Sequence, residues 1–326
     1  MIAAPRPMVV AFFCNGLGDS LMTLPTVRAL TARFQERLLL VCSETFRQFA
    51  TRDLPGLNCR TMHFWRDENH GKCFDPDELF AIEQEVHAST FVSLVPWISP
   101  SLARYLTRTK CLTFGHFGGF HVRIPYAEGE HAALNAFKLA KVFSPEGDYM
   151  NYAGPLRLRP RESEFGARLL AALPAAAFPV LVHLETGAAK QLPPPWINQV
   201  LACLVRRHPN VVIINIGRQP PPIDIGECHG TVLHLGNDSI FEGLAVAARS
   251  RLFFGVDSCF LHAADMYGVP GVGVFRSTDP AEFGYLDTPS GVNYGTDTFS
   301  ARSAAEVVNL LGDRMLPRLP LHQEST

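Results

Sequence analysis

Short apolar runs alternate with helical patterns along this chain, and this alternation restricts the possible fold more than any other feature. The apolar runs show no polar and apolar alternation, so both faces of each strand are expected to be buried. Strands of this kind separated by helices are typical of a parallel, doubly wound α/β sheet. The clearest predicted strands are "MVVAFF" (8–13), "RLLLVCS" (37–43), "FVSLVPW" (91–97), "NVVIINIG" (210–217) and "RLFFGVDS" (251–258).

The pattern occurs twice, with an irregular stretch between the two occurrences. Residues 115–131 are glycine-rich, which predicts a surface loop. Within the first occurrence, residues 59–64 ("CRTMHF") predict one short strand. Residues 144–160 contain turn residues and show no period, which indicates a domain boundary. We therefore predict two Rossmann-like domains, 1–155 and 156–326, facing each other across a cleft at the carboxyl ends of their strands.

Composition excludes several classes of protein. The 326 residues carry a formal net charge of −2, and residues 1–155 hold equal numbers of basic and acidic side chains. Nothing in this balance favours a nucleic acid partner. The eight cysteines form no CxxC pair, which is typical of a reducing compartment, and no apolar run has the length of a membrane span. We expect a cytoplasmic protein without stable membrane insertion.

An acidic residue follows the first predicted strand, in "NGLGDS" (15–20). Gly16 and Gly18 are expected to let the backbone turn tightly, with Asp19 at or near the start of the next helix. An aspartate there is favoured as a helix cap, because it pairs with unbonded amides and offsets the helix dipole. The local sequence alone favours that structural role over a chemical one.

A second stretch with polar residues after a strand is "HLETGAAKQLPPPW" (183–196). Thr186 supplies a hydroxyl, Gly187 a flexible backbone and Lys190 an ammonium between a strand and a helix. This combination suits a bound diphosphate. A lysine in an exposed loop without a ligand explains the local sequence equally well.

The third stretch places Asp257 and Ser258 between a fully apolar strand and a helix. The backbone N–H groups of Ser258, Cys259 and Phe260 lie at the predicted helix start, where amides lack intrahelical partners and bind anions. His262 follows one turn later, near the same face. Alternatively, Asp257 or Ser258 only caps the helix and His262 packs in the core.

Taken together, these stretches resemble the family 9 glycosyltransferases, the ADP-heptose transferases of lipopolysaccharide inner-core assembly. The resemblance covers nearly the whole chain. It implies the GT-B fold, with an N-terminal acceptor-binding domain and a C-terminal domain that binds the nucleotide-sugar donor. The segments that carry it are "GLGDSLMTLP" (16–25), "TGAAKQLPPPW" (186–196) and "GVDSCFLHAADMYGVPGVGVFRSTDP" (255–280).

The resemblance also implies roles for individual residues. Asp19 corresponds to the catalytic base, Lys190 and Thr186 to diphosphate-binding groups, and residues 257–262 to the donor-binding helix start. The implied enzyme is an inverting, metal-independent heptosyltransferase with no resident cofactor, because the ADP-sugar is its substrate. The acceptor is left open as a small molecule, a glycolipid core or a protein side chain, and the neutral N-terminal half favours a soluble one.

Several positions depart from the pattern of this family. Leu192 replaces a tryptophan, and the segment 218–224 ("RQPPPID"), part of which lies outside the residues that the structure describes, lacks the acid expected to hold the donor ribose. Cys259 and Arg276 stand where the family usually has glycine. These departures leave two alternatives open. One is a non-catalytic or weakly active protein that binds nucleotide sugars. The other is a GT-B-like sugar-nucleotide epimerase or hydrolase, which consumes the donor without an acceptor.

Overall fold

A computed structural model of the protein describes residues 8–67, 71–218, 223–226, 231–236 and 239–315. The chain divides after Arg157 into two compact units, called here the N-terminal and C-terminal units. The N-terminal unit contains, in chain order, β1 (Met8–Phe13), α1 (Leu17–Phe34), β2 (Leu38–Cys42), α2 (Glu44–Asp53), β3 (Asn58–Thr61), β4 (Phe64–Asp67), β5 (Gly71–Phe74), α3 (Pro76–Glu85), β6 (Ala88–Ser93), α4 (Pro100–Leu106), β7 (Leu112–Gly115), β8 (Val122–Arg123) and α5 (Ala132–Lys141).

The C-terminal unit continues the alternation of strands and helices. It contains α6 (Pro160–Ala171), β9 (Phe178–His183), α7 (Pro194–Arg207), β10 (Val211–Gly217), β11 (Thr231–Gly236), α8 (Ile240–Ala247), β12 (Leu252–Val256), α9 (Cys259–Met266), β13 (Gly271–Phe275), α10 (Pro280–Phe283), β14 (Gly291–Gly295) and α11 (Ala301–Met315).

Each unit is built around a parallel sheet of six strands, and the two sheets follow the same plan. The strand order is β3-β2-β1-β6-β7-β8 in the N-terminal unit and β11-β10-β9-β12-β13-β14 in the C-terminal unit. All strand pairs within these sheets are parallel. The predicted α/β fold class, with two doubly wound Rossmann-like domains, is confirmed.

The central strands are buried because helices cover both faces of each sheet. Every residue of β2, β9, β10, β12 and β13 is buried, whereas the edge strands β3, β11 and β14 are partly exposed. In the C-terminal unit, α7 and α11 pack together and contribute Trp196, Val200, Val307 and Leu311 to one apolar cluster with the sheet. Unbroken apolar runs in the sequence therefore correspond to interior strands.

Two local predictions are wrong. Residues 59–64 do not form one strand, because β3 ends at Thr61 and a separate strand, β4, begins at Phe64. Strands β4 and β5 pair in an antiparallel hairpin outside the main sheet. The segment 115–131 is not a loop throughout, since Gly115 ends β7 and residues 122–123 form the edge strand β8.

Candidate functional site

Both sheets reverse their direction of winding at one point, and the predicted site residues follow the strands on either side of it. In the N-terminal unit the reversal lies between β1 and β6, and in the C-terminal unit it lies between β9 and β12. Open α/β sheets bind ligands beyond the carboxyl ends of the strands at such switch points. Asp19 follows β1, Lys190 follows β9 and Asp257 follows β12.

Asp19 is the third residue of α1, and its carboxylate takes part in the helix start. Its Oδ2 accepts a hydrogen bond from the backbone N–H of Gly16 at 3.1 Å. The Ser20 hydroxyl donates to the Gly16 carbonyl at 2.8 Å, which adds a second contact at this end of the helix. Asp19 thus supports the helix start from inside the first turn, as an acid at this position commonly does.

The expected turn role of the two glycines is wrong. Gly16 precedes α1 with φ of −68°, a conformation open to any residue, and Gly18 already lies within the helix. Gly16 instead provides space, because a Cβ there would lie 3.1 Å from Asp19 Oδ2. The small residue therefore lets the carboxylate approach the backbone.

The Asp19 side chain is half-buried and lines a pocket within the N-terminal unit. The pocket is open to solvent on one side and lies at the ends of β1, β6 and β7. Apolar and aromatic side chains form most of its wall, which is typical of small-molecule sites. Its lining residues are Phe13, Asn15, Asp19, Met22, Thr23, Leu94, Pro96, His116, Tyr126, Ala132 and Ala136.

Lys72 lies beside this pocket and was not identified from the sequence. It belongs to β5, and its Nζ donates to Oδ1 of Asn15, a pocket residue. Burial lowers the pKa of Lys72, and the nearby Asp19 carboxylate acts in the opposite direction. The sequence offers little signal for this pairing, because hairpin β4–β5 brings the lysine to a position 57 residues away from Asn15.

In the C-terminal unit, Asp257 is the centre of a polar cluster. Lys190 Nζ donates to its Oδ2 at 2.5 Å, and the Thr278 hydroxyl donates to the same oxygen at 2.8 Å. His262 Nε2 lies 3.7 Å from the other oxygen, Oδ1. Burial by itself would raise the pKa of Asp257, but His262 and Lys190 outweigh it and lower that pKa to about 2.

Two further contacts connect the loop after β9 with the start of α9. The Thr186 hydroxyl donates to the backbone carbonyl of Asp257 at 3.2 Å. His183, the last residue of β9, lies with Nδ1 2.9 Å from the Ser258 hydroxyl. Gly187 is exposed, and a Cβ added there would meet no neighbouring atom, so packing within the unit does not require glycine.

The start of α9 contains the cysteine that departs from the glycosyltransferase pattern. Burial raises the pKa of the Cys259 thiol to about 12, although the backbone N–H groups of Cys259 and Phe260 hydrogen-bond to its sulfur and act in the opposite direction. The Phe260 ring is buried against His183, with ring centres 4.7 Å apart. Phe260 can therefore contribute only its backbone to a ligand, and the thiol lies against the amides expected to bind an anion.

The other departure, Arg276, contacts the Lys190 loop. Its guanidinium donates to the Gln191 carbonyl at 2.8 Å. Sequence analysis assigned no individual role to His183 or Thr278. His183 lies in the candidate stretch 183–196, and Thr278 lies in "FRSTDPAEFG" (275–284), which follows a predicted strand and was expected to line the rim of the cleft. Among the residues that the structure describes, no group of three or more His, Cys, Asp and Glu side chains is arranged to hold a metal ion.

Comparison with known proteins shows which solved structures share this architecture. No protein-family model and no curated protein sequence matches the chain. A family 9 glycosyltransferase from Veillonella parvula superimposes with a TM-score of 0.69 at 15% identity, covering 94% of this chain and 98% of that one. The E. coli ADP-heptose lipopolysaccharide heptosyltransferase II gives a TM-score of 0.66 at 13% identity, with 94% and 98% covered. E. coli heptosyltransferase WaaC, solved with ADP, gives 0.61 at 16% identity, with 94% and 99% covered.

The chain has the fold of these glycosyltransferases. The predicted resemblance to family 9 glycosyltransferases is confirmed at the level of the fold, and so is the GT-B class. Sequence identities of this size carry no information about individual site residues. No helix within the described part of the chain combines the length and apolar character needed to cross a membrane.

Proposed function

We propose that the protein is an inverting glycosyltransferase that moves a sugar from an ADP-sugar donor to an acceptor hydroxyl, with Asp19 as the general base. The main support is that the Asp19 carboxylate lines a pocket at the switch point of the N-terminal sheet. In this proposal the N-terminal unit binds the acceptor and the C-terminal unit binds the donor. The heptosyltransferase neighbours favour a heptose as the transferred sugar.

Asp19 is suited to take a proton because its carboxylate is held in place before any substrate binds. The hydrogen bond from the Gly16 amide orients one carboxylate oxygen, while the side chain still reaches the pocket. As the acceptor oxygen forms a bond to the anomeric carbon, its proton passes to Asp19 and the bond to the ADP oxygen breaks. General-base assistance of this kind is worth about 10²- to 10⁴-fold in rate.

The polar cluster of the C-terminal unit provides groups for the leaving diphosphate. Lys190 supplies a positive charge, and its pairing with Asp257 fixes the ammonium near the start of α9. Thr186 and His262 also contact Asp257, through its backbone carbonyl and its carboxylate respectively. Such preorganised donors stabilise the negative charge that develops on a leaving group. In this mechanism the lysine and the helix start perform the task that a metal ion performs in other transferases.

Asp19→Asn tests the assignment with little disturbance of the fold. The amide oxygen of asparagine still accepts the Gly16 N–H, but it does not take a proton at neutral pH. ADP release from ADP-heptose, assayed with a panel of hydroxyl acceptors, should fall by about 10²- to 10⁴-fold. ADP affinity measured by calorimetry should stay unchanged.

Asp75→Asn is the matched control, because Asp75 caps α3 through the Asp77 amide at 2.9 Å and is exposed. It should retain wild-type turnover. Turnover by Asp19→Asn within a few-fold of wild type would remove Asp19 from the mechanism.

One observation favours a protein that binds nucleotide sugars with little turnover: the Cys259 sulfur lies against the amides of α9. Such a protein would shift its melting temperature with ADP-heptose but release no ADP with any acceptor. An epimerase or hydrolase would consume the donor without an acceptor. Thermal shift and donor consumption measured side by side therefore separate the three activities.

A further inference from the structure

His116 is one of the polar side chains in the wall of the Asp19 pocket. It is the first residue after β7, one of the strands whose carboxyl ends form the floor of that pocket. Its side chain is 2% exposed, so it is held in a single environment by the surrounding chain. The ring of Tyr126, another pocket residue, meets it edge-on with centres 5.5 Å apart.

The hydrogen bonding of His116 determines which of its nitrogens carries the proton. Nδ1 lies 3.3 Å from the backbone carbonyl oxygen of Ile124. Because a carbonyl oxygen can only accept, Nδ1 must be the protonated nitrogen. Burial lowers the pKa of His116, which keeps the ring neutral near pH 7. Nε2 then carries a lone pair and can accept a hydrogen bond.

Two lysines lie near the pocket, and each has a polar partner. Lys72 donates to Asn15 and interacts electrostatically with the Asp19 carboxylate, and Lys138, which lies near His116, is paired with Glu130. The pocket wall contributes the Asp19 carboxylate and the neutral His116 imidazole as acceptors. The other polar side chains in the wall belong to Asn15, Thr23 and Tyr126. A ligand that satisfies both groups must donate hydrogen bonds, and hydroxyls do so. A phosphate or carboxylate would place further acceptors against these two.

We propose that this pocket binds a neutral, hydroxyl-rich acceptor, with one hydroxyl donating to Asp19 and a second donating to Nε2 of His116. This inference rests on the proposed transferase function and adds the chemical class of the acceptor. A sugar ring presents such hydroxyls on neighbouring carbons, and its apolar face can lie against Tyr126. His116 is then a binding residue that selects the acceptor.

Nitrogen NMR tests both parts of the proposal on the wild-type chain. A long-range ¹H–¹⁵N spectrum at pH 7 should show His116 protonated at Nδ1. Titration with methyl α-mannopyranoside should shift the Nε2 resonance, and mannose 6-phosphate should shift it less at equal concentration. Protonation at Nε2 would overturn the proposal, and so would stronger binding of the phosphorylated sugar, which would point to Lys72 as an anion-binding group.

Two substitutions separate the roles of the two nitrogens. His116→Asn keeps a donor for the Ile124 carbonyl but removes the Nε2 acceptor, whereas His116→Gln can place an amide oxygen near the Nε2 position. His116→Asn should weaken methyl α-mannopyranoside binding about three- to tenfold, the range of one neutral hydrogen bond. His116→Gln should recover part of this loss, and ADP affinity should be the same in all three proteins.

Equal sugar affinity in wild type and His116→Asn would refute the role of Nε2. This outcome is distinct from failure of the transferase proposal, which is judged by turnover of Asp19→Asn. If Asp19→Asn stays active while His116→Asn loses sugar binding, the pocket binds hydroxylated ligands and a different residue acts as the base.

Discussion

Replacing Asp257 with asparagine should destabilise the C-terminal unit by an amount that depends on pH. The Asp257 side chain is 5% exposed, so solvent screens its partners little. Burial raises its pKa, but His262 and Lys190 lower it further, from an ordinary value of 3.8 to about 2. A shift of nearly two units corresponds to about 2 kcal/mol of the free energy of unfolding.

The lowered pKa determines how the stabilisation by Asp257 changes with pH. The folded state holds the ionised carboxylate more strongly than the unfolded state does, so this stabilisation is complete above about pH 4. It is lost as the pH falls towards 2. Asp257→Asn should therefore lower the free energy of unfolding by about 2 kcal/mol at pH 5 and by roughly half of that at pH 3.

Fluorescence from Trp196 allows the C-terminal unit to be followed within the whole chain. Trp196 is 3% exposed, and its Nε1 donates to the Ser303 hydroxyl at 3.0 Å. In a background with Trp65→Phe and Trp97→Phe, urea titrations monitored at Trp196 report on that unit alone. The exposed residue Asp297 provides the control, since Asp297→Asn removes the same charge without a buried partner.

The comparison between the two pH values is decisive. The free energies of unfolding of wild type and Asp257→Asn should differ less at pH 3 than at pH 5. A difference that stays constant between these pH values would show that the loss of stability comes from packing and not from charge. If Asp257→Asn lowers the free energy of unfolding by less than Asp297→Asn does at both pH values, the pairing of Asp257 with Lys190 and His262 is refuted.

Two further predictions concern the donor groups. Lys190→Met should weaken ADP binding by about 10- to 100-fold, the range of one charge-assisted hydrogen bond, while Arg302→Met, which changes an exposed arginine of α11, should leave calorimetric affinity unaltered. Cys259→Gly should tighten ADP binding severalfold, because it frees the Cys259 and Phe260 amides from the sulfur; equal or weaker binding in that variant would show that these amides do not meet the diphosphate.

The sequence predicted those elements of the fold that depend on a local pattern of apolar and polar residues. Strand β1 was predicted to the residue, because an unbroken apolar run marks a buried strand. The fold class followed from the repetition of these elements. Asp19, Lys190 and Asp257 were singled out because each lies in the stretch that leads from a strand into the next helix.

Other features depend on contacts between distant parts of the chain. Strand β11 is mostly exposed, and β14 is a short run with two glycines, so neither shows the apolar signal of an interior strand. Lys72 and Thr278 reach their sites through the hairpin and through the neighbouring strand β13. No local pattern specifies such pairings, because they arise only when the order of strands in the sheet is known.

Hairpin β4–β5 pairs only with itself among the described strands, yet it carries Lys72, which hydrogen-bonds to Asn15 in the pocket wall. The six parallel strands obtain all of their ladder hydrogen bonds from one another. Sequence changes in the hairpin can therefore alter the charge at the pocket without breaking the sheet. Under the proposed function, substitutions in the hairpin would let descendants of this chain bind different acceptors, while the sheet that positions Asp19 stays the same.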